Sequence, residues 1–254
     1  MTATVDLNAD MGEGYGAWRM GDDAALLGIV TSANVACGFH AGDWDVMAET
    51  MRRAVAQDVG IGAHPGFPDL HGFGRRRMTI PTGSLQNLVR YQIGAAQAMA
   101  RAAGGALRHV KLHGALANMA AEDEALARAC YEAALSVAPD LIVMVLARSA
   151  QERAAEAIGC PIACEIFADR AYNDDATLVD RSQPGAVIHE PELAGRRMAE
   201  MVREGAIITR SGKRIPTRID TICLHGDTPA AVAIAAEVRR ALVAEGIGLA
   251  KFGG

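Results

Sequence analysis

Four of the seven histidines in the chain follow short apolar runs: His40, His64, His113 and His225. Imidazole changes its charge near neutral pH and is a common metal ligand, so it suits proton transfer or metal binding. A single histidine in such a place is more often structural, but four of them in equivalent places predict an active site. The pattern leaves open which histidines act chemically and which only orient their neighbours.

Carboxylates and an amide lie in and after the first apolar run, at Asp6, Asn8, Asp10 and Glu13. Asp10 and Glu13 could serve as general acid and base, or could hold a divalent ion. The competing interpretation is that Asp6 and Asn8 brace loops and that Asp10 caps a turn. We favour function, because polar side chains on one face of an apolar strand cost desolvation free energy unless they have partners. If a metal ion is bound, its predicted ligands are Asp10, His40 and His64.

Lys111 shares a strand face with His113, since the two positions are separated by one residue. A desolvated lysine shifts its pKa readily, so Lys111 could bind an anionic group or act chemically. An ion pair with Glu165 or Asp10 explains the residue equally well.

Arginines offer further sites for an anion. Arg75 follows the run Gly72-Phe73-Gly74, and its guanidinium could hold a carboxylate or a phosphate. Asp169 and Arg170 could clamp a substrate carboxylate or form an internal salt bridge. The predicted catalytic residues are Asp10, His40, His64, Lys111 and His113. The predicted substrate-binding residues are Asn8, Glu13, Asn34, Arg75, Glu165, Asp169, Arg170, His225 and Asp227.

Several simpler chemistries are disfavoured. The chain has no GxSxG elbow, so it does not resemble a serine hydrolase. It also has no Walker-type GxxxxGK[ST] loop and no GxGxxG fingerprint, so we do not expect it to bind ATP by itself. Cys37 could be a nucleophile, but its apolar surroundings favour a buried small residue. Asp43 and Asp227 each precede a predicted helix, where a carboxylate is also a good N-cap.

The elements that must position these residues alternate along the chain. The predicted strands are Ala3–Asn8, Ile29–Ala36, Val59–Ala63, Ala106–Leu112, Leu141–Leu146, Ile162–Phe167 and Ile219–Leu224. The predicted helices are Asp45–Gln57, Ser84–Ala103, Glu122–Val137, Ser149–Ile158, Pro191–Glu204 and Ala230–Glu245. Alternation of this kind predicts βα units and a parallel sheet. Seven repeats favour closure into a barrel, although an open sheet is possible.

The polar residues follow six of the seven predicted strands. In a parallel barrel the carboxyl ends of all strands open onto one face, and that face carries the active site. Side chains alternate along a strand, so Asp6, Asn8 and Asp10 should point inward, as should Lys111 and His113. The sequence therefore predicts a barrel with a polar mouth.

The chain of 254 residues, half of them hydrophobic, suits a single β/α barrel over residues 1–254 with a small insertion at about 185–216. A formal charge of −5 gives no electrostatic reason to expect nucleic acid or an anionic membrane as partner. Five scattered cysteines are typical of reduced thiols. With no signal-peptide pattern and no membrane-spanning run, we expect a cytoplasmic protein.

Six segments occur in a characteristic order: DLNADMGEGYG, NVACGFHAGD, HPGFPDLHGFGRR, KLHGALAN, EIFADRAY and CLHGDTP. Together they resemble the LamB/YcsF family over Asp6 to Pro229. The resemblance implies an α/β fold, a TIM-like, incomplete seven-stranded β/α barrel related to the glycoside hydrolase and deacetylase superfamily. Two positions depart from the family motif. Leu112 replaces a proline and should face outward, whereas Ala117 replaces a tyrosine and could alter the loop above the site.

The resemblance also implies an activity, the ATP-dependent opening of 5-oxo-L-proline (pyroglutamate) to L-glutamate with two partner subunits of a 5-oxoprolinase, B and C. A lactam needs carbonyl activation, which phosphorylation of its oxygen would provide. Since no nucleotide loop is present, we expect ATP to be bound mainly by the partners. Two alternatives remain: a metal-dependent, deacetylase-like hydrolase, and a non-catalytic subunit that binds a small acid.

Overall fold

The structure is a computed structural model that describes residues 3–224 and 230–253. In chain order its strands are β1 (Thr4–Met11), β2 (Ser32–Ala36), β3 (Gly60–His64), β4 (Leu107–Val110), β5 (Ile142–Leu146), β6 (Ile162–Phe167), β7 (Ala206–Ile208), β8 (Arg214–Pro216), β9 (Thr221–Leu224) and β10 (Gly248–Leu249). Its helices are α1 (Asp23–Leu27), α2 (Trp44–Ala56), α3 (Thr82–Ala102), α4 (Gly114–Glu122), α5 (Glu124–Val137), α6 (Ala150–Ile158), α7 (Pro191–Glu204) and α8 (Ala231–Ala244).

Seven parallel strands close into a barrel in the order β1-β2-β3-β4-β5-β6-β9. Closure is made by β9, which pairs with β6 on one side and with β1 on the other, where Asp6 lies opposite Thr221. β10 extends the sheet beside the start of β1. The predicted seven-stranded β/α barrel is confirmed, and the open-sheet alternative is wrong.

Strand alternation separates two kinds of packing. Val5, Leu7 and Ala9 of β1 belong to the apolar core between the barrel and its helices. The intervening residues Asp6 and Asn8 are fully buried within the ring of strands and bond to polar side chains of other strands. The barrel therefore has an apolar outer surface and a polar interior, which is the arrangement the sequence predicts.

Several element boundaries differ from the prediction for local reasons. β1 continues to Met11, because its pairing with β2 extends that far, so Asp10 lies inside the strand. β2 begins at Ser32, since the amides of Ile29 and Val30 donate to the Leu26 carbonyl in the turn after α1. The prediction missed α1, α4 and β10.

Residues 111–113 separate β4 from α4, which begins at Gly114. Asp123 then ends α4 and caps α5 by accepting from the amides of Ala125 and Leu126. The helix predicted over Glu122–Val137 corresponds to α5, and the prediction did not include α4 before it. Ala117 lies inside α4 and not in a loop.

The predicted insertion at 185–216 contains α7 and the antiparallel hairpin β7–β8. Before α7, Val187 forms an isolated antiparallel bridge with Arg170. Among the described residues, no helix is both long and apolar enough to cross a membrane.

Candidate active site

Asp10 lies near the carboxyl end of β1, where the barrel opens. Its Oδ1 atom accepts from Lys111 Nζ at 3.1 Å and from Asn34 Nδ2 at 2.9 Å. Its Oδ2 atom lies 3.4 Å from His64 Nε2. One oxygen is thus engaged with the barrel wall, and the other points towards the histidines.

Lys111 connects two carboxylates in the barrel interior. Its ammonium lies 2.8 Å from Glu165 Oε1 as well as beside Asp10, and it donates to Asn8 Oδ1 at 3.3 Å. Burial alone would lower the pKa of Lys111, but the carboxylates of Asp10 and Glu165 outweigh it and hold that pKa well above its usual value. Lys111 is therefore a permanent cation whose charge is used within the protein, as the ion-pair interpretation proposed.

Two amides predicted to bind substrate fill the layer below Asp10. Asn8 Nδ2 donates to Thr221 Oγ1 at 2.7 Å, and its Oδ1 accepts from Asn34 at 2.7 Å. Asn34 Oδ1 lies 2.8 Å from His109 Nε2. Asn8 and Asn34 are fully buried, and the contacts of their side-chain atoms are with the protein. They hold Asp10 and Lys111 in place from beneath.

His109 also lies in this lower layer. Burial lowers its pKa to about 3, so the ring is neutral and orients Asn34. A signal was available, because positions 109, 111 and 113 alternate and share the inward face of the β4 segment.

Asp6 ends the polar column inside the barrel. Its carboxyl group accepts hydrogen bonds from Thr31 at 2.6 Å, Ser32 at 2.7 Å and Thr221 at 2.5 Å. Burial raises its pKa from 3.8 to about 6, although these three hydroxyls act in the opposite direction. Asp6 therefore braces the barrel wall, as the structural interpretation of this residue held.

Because the pKa of Asp6 is raised in the folded protein, the stability of the fold should depend on pH. The folded protein binds the proton more tightly than the unfolded chain, so stability falls as pH rises from about 4 to above 6. A shift from 3.8 to about 6 corresponds to about 3 kcal/mol. As pH rises from about 4 to above 6, the free energy of unfolding of the wild type should therefore fall by about 3 kcal/mol relative to that of Asp6→Asn, which cannot titrate at this position. Urea denaturation at several pH values checks this, and parallel curves would contradict it.

Two backbone carbonyls fix the orientation of two histidine rings at the mouth. His64 Nδ1 lies 2.8 Å from the Lys111 carbonyl oxygen, and His113 Nε2 lies 2.8 Å from the Phe73 carbonyl oxygen. A carbonyl can only accept, so both of these nitrogens donate. The opposite nitrogens, His64 Nε2 and His113 Nδ1, face each other at 3.0 Å.

His40 completes the group. Its ring stacks on His113 with 3.6 Å between centroids and an interplanar angle of 6°. Both of its ring nitrogens are buried and have no hydrogen-bond partner among the described residues. Burial lowers the pKa of His113 to about 3 and holds the pKa of His40 well below its usual value, with the neighbouring histidines adding to the effect. These two rings are therefore neutral bases.

Glu13 joins the three histidines from the loop after β1. One ligand atom from each of Glu13, His40, His64 and His113 can be chosen so that all four lie within 4.8 Å of one another. All four residues are buried. A group able to hold a metal ion is therefore present, and it shares His40 and His64 with the predicted ligand set while Glu13 and His113 stand in place of Asp10.

Glycines allow the loop after β3 to approach these rings. Gly74 has φ of +62°, and a Cβ there would lie 2.7 Å from His40 Cβ and 2.8 Å from His113 Cδ2. A Cβ on Gly66 would lie 2.7 Å from His40 Nδ1. Any side chain at either position would displace the histidines.

The remaining predicted residues occupy different parts of the molecule. Arg75 is exposed at the rim, 5.0 Å from the Phe73 ring centroid, close enough to influence His40 and His113. Arg170 is buried, and its Nη2 donates to the Val179 carbonyl at 2.6 Å. Asp169, beside it, is also buried. His225 and Asp227 lie outside the described residues.

Two residues with doubtful roles are explained locally. Asp43 caps α2 by accepting from the amides of Asp45 and Val46, so the capping interpretation is confirmed. Burial raises the pKa of Cys37 to about 12, and its thiol donates to the Val35 carbonyl. Cys37 is therefore a buried structural thiol, as its surroundings predicted.

The fold and the site together define a parallel β/α barrel whose mouth combines a carboxylate–lysine pair with a cluster of three histidines and a glutamate. The chain matches the LamB/YcsF family over residues 5–254 and belongs to it.

Individual proteins agree with this assignment. A protein of Ruegeria pomeroyi, named as the A subunit of 5-oxoprolinase, is 65% identical over 248 residues, which cover 98% of each chain. The crystal structure of a lactam utilization protein from Thermus thermophilus superposes with a TM-score of 0.93 at 43% identity, covering 98% of this chain and 100% of that one. A family 4 carbohydrate esterase from Streptomyces lividans has a TM-score of 0.52 at 11% identity over 97% of this chain and 91% of its own, and shows a related fold.

Proposed function

We propose that this chain is the lactam-opening subunit of an ATP-dependent 5-oxoprolinase, which converts 5-oxo-L-proline to L-glutamate while ATP becomes ADP and phosphate. The observation that carries the proposal is the full-length similarity to a protein named as the A subunit of 5-oxoprolinase. The similarity to a lactam utilization protein supports the same substrate class. ATP consumption fits a cytoplasmic location.

The chemistry divides between this chain and its partners. A five-membered lactam is a stable amide, and phosphorylating its oxygen makes the ring carbon more open to attack by water. The C–N bond then breaks, and the nitrogen takes up a proton and leaves as the amine of glutamate. Hydrolysis of the acyl phosphate formed in this way releases phosphate and the second carboxylate. The sequence contains none of the common nucleotide-binding loops, so we assign ATP binding and phosphorylation to partner subunits B and C. The barrel mouth of this chain then supplies the groups that activate water and open the ring.

Asp10 is the residue best placed to remove a proton from water. Its Oδ1 is held by Lys111 and Asn34, while its Oδ2 points to the pocket beside His64. A carboxylate fixed in this way is pre-oriented, which is what general base catalysis requires. His64 is the histidine nearest to Asp10 and orients the same water. Lys111 acts as a positioning residue, since its charge is shared between two carboxylates.

Arg75 is the best candidate for holding the substrate carboxylate or the phosphate. Arg75 is exposed at the rim of the site, where an anion can reach it. Its guanidinium offers two parallel donors to a carboxylate.

Removing this guanidinium should weaken binding more than it slows the chemical step. We expect Arg75→Ala to raise KM for 5-oxo-L-proline by about 10- to 100-fold, as for loss of a charge-assisted hydrogen bond, with a smaller change in kcat. Steady-state kinetics of the complete complex measure both constants. Arg77→Ala is the matched control, because Arg77 is an exposed neighbour paired with Glu122. An unchanged KM in Arg75→Ala would remove Arg75 from the binding site.

A second candidate function is a metal-dependent, deacetylase-like hydrolase, which the cluster of Glu13 and three histidines favours. A third is a non-catalytic subunit that only binds a small acid. The three differ in their products, so product analysis separates them.

The test is to combine the purified chain with partners B and C, ATP and 5-oxo-L-proline, and to quantify glutamate and ADP. We expect one glutamate for each ADP, and none from this chain alone. Acetate release from acetylated sugars by this chain alone would favour the deacetylase. Glutamate formation at the full rate by partners B and C alone would leave this chain with only a binding role.

A further inference from the structure

We propose that Glu13, His40, His64 and His113 form a binding site for one divalent transition-metal ion of the zinc class. The inference deepens the proposed function, because it concerns the same barrel mouth. Its evidence is the direction in which the ring nitrogens point, and its test is a binding measurement that does not depend on catalysis.

The first step is the hydrogen bonding of His64 and His113. Each ring donates one N–H to a backbone carbonyl, at 2.8 Å in both cases. In a neutral imidazole the second nitrogen then carries a lone pair. Those two lone pairs face each other at 3.0 Å, an arrangement that is repulsive unless a cation lies beside both. Metal-binding histidines typically donate their other N–H to a carbonyl or carboxylate in this way.

The ring of His40 distinguishes between two explanations: a bound metal ion, and a single proton shared by His64 and His113. One proton between His64 and His113 would relieve their repulsion, but it would leave His40 unchanged. Both nitrogens of that ring are buried and have no hydrogen-bond partner among the described residues. Leaving buried polar atoms unsatisfied costs free energy, and such sites call for a ligand. A metal ion bound to all three rings satisfies each of them.

The third step is the identity of the donor atoms. Three imidazoles with one carboxylate suit zinc, cobalt, nickel or iron, whereas magnesium and calcium require oxygen ligands. Asp10 is not among the residues whose ligand atoms lie within 4.8 Å of one another, and its Oδ1 is bonded to Lys111 and Asn34. A bound ion of this class lowers the pKa of coordinated water. With such an ion bound, Asp10 would lie next to the site as a carboxylate able to accept a proton.

The experiment uses the full-length chain after treatment with chelator. Titration with ZnCl₂ in a calorimeter, and with CoCl₂ followed by visible absorption, should each give one equivalent bound. Glu13→Gln and His113→Gln should weaken zinc binding by at least about 100-fold, since changes outside the ligand set typically cost about 10- to 100-fold. His189→Gln removes an exposed histidine and should bind as wild type does. Asp10→Asn should lose less affinity than either ligand variant.

The contradicting results are equally specific. If wild type binds no more zinc than Glu13→Gln, the cluster is a proton-sharing group and the proposal is wrong. If Asp10→Asn is as damaging as Glu13→Gln, the proposed ligand set is wrong. Circular dichroism establishes that each variant folds, and Glu13→Gln, which preserves size, carries the test if His113→Gln does not. Zinc binding without glutamate formation would leave this inference standing while the proposed function fails.

Discussion

Asp10→Asn is expected to lower kcat for glutamate formation by the complete complex about 10²- to 10⁴-fold, the usual contribution of a positioned general base. Asparagine keeps the size of aspartate and an oxygen that can accept from Lys111 and Asn34, so the fold should persist. An amide cannot take a proton from water at neutral pH. KM for 5-oxo-L-proline should change little, because the substrate anion is held elsewhere.

Asp43→Asn is the matched control for Asp10→Asn. Asp43→Asn makes the same chemical change near the mouth at a residue whose carboxylate caps α2, and asparagine is an equally good N-cap. It should retain the wild-type rate. Steady-state kinetics of both variants measure the comparison. If Asp10→Asn forms glutamate at a nearly normal rate, Asp10 is not the base.

Lys111→Met should damage both stability and activity. Lys111 is 6% exposed and lies between Asp10 and Glu165, so its loss leaves two buried carboxylates without a counter-charge. Breaking a buried ion pair in this way costs about 3–5 kcal/mol of folding free energy. We expect urea denaturation to show a loss of that size, and glutamate formation to fall with it because Asp10 loses its orientation.

A double substitution separates these two effects of Lys111. In Lys111→Met combined with Glu165→Gln, one of the two uncompensated carboxylates is gone. Stability should therefore recover in part, whereas activity should stay low because Asp10 still lacks its cation. The contradicting outcome is recovery of activity along with stability, which would reduce Lys111 to a structural role.

The barrel could be predicted because its determinants are periodic. Alternation of apolar and polar residues from Asp6 to Asp10 describes a strand with one face in a polar interior, and the same alternation set Lys111 and His113 inward. Leu112 between them belongs to the outer apolar core, as expected. The face of a strand on which each side chain lies can thus be predicted from sequence, because successive side chains point to opposite faces.

The roles of individual site residues were less accessible, since they depend on contacts between distant strands. Asn8 and Asn34 carry amides of the kind that often bind substrates. In the structure, however, the amide of Asn8 bonds to Thr221 and that of Asn34 bonds to His109, both across strands. The sequence named Glu13 as a carboxylate able to hold a divalent ion, but which histidines it joins depends on how the loop after β1 meets the ends of other strands. The helix α4 escaped prediction because its N-cap residue, His113, makes no side-chain capping hydrogen bond, so the sequence carries no usual helix-start signal there.

The central claim is that this chain provides the ring-opening site while its partners provide the ATP site. The most direct measurement compares ATP-dependent glutamate formation by partners B and C alone, with the wild-type chain, and with the Asp10→Asn chain at equal concentration. We expect full activity only with the wild-type chain and at most about one hundredth of it with Asp10→Asn. Equal glutamate formation in all three mixtures would contradict it.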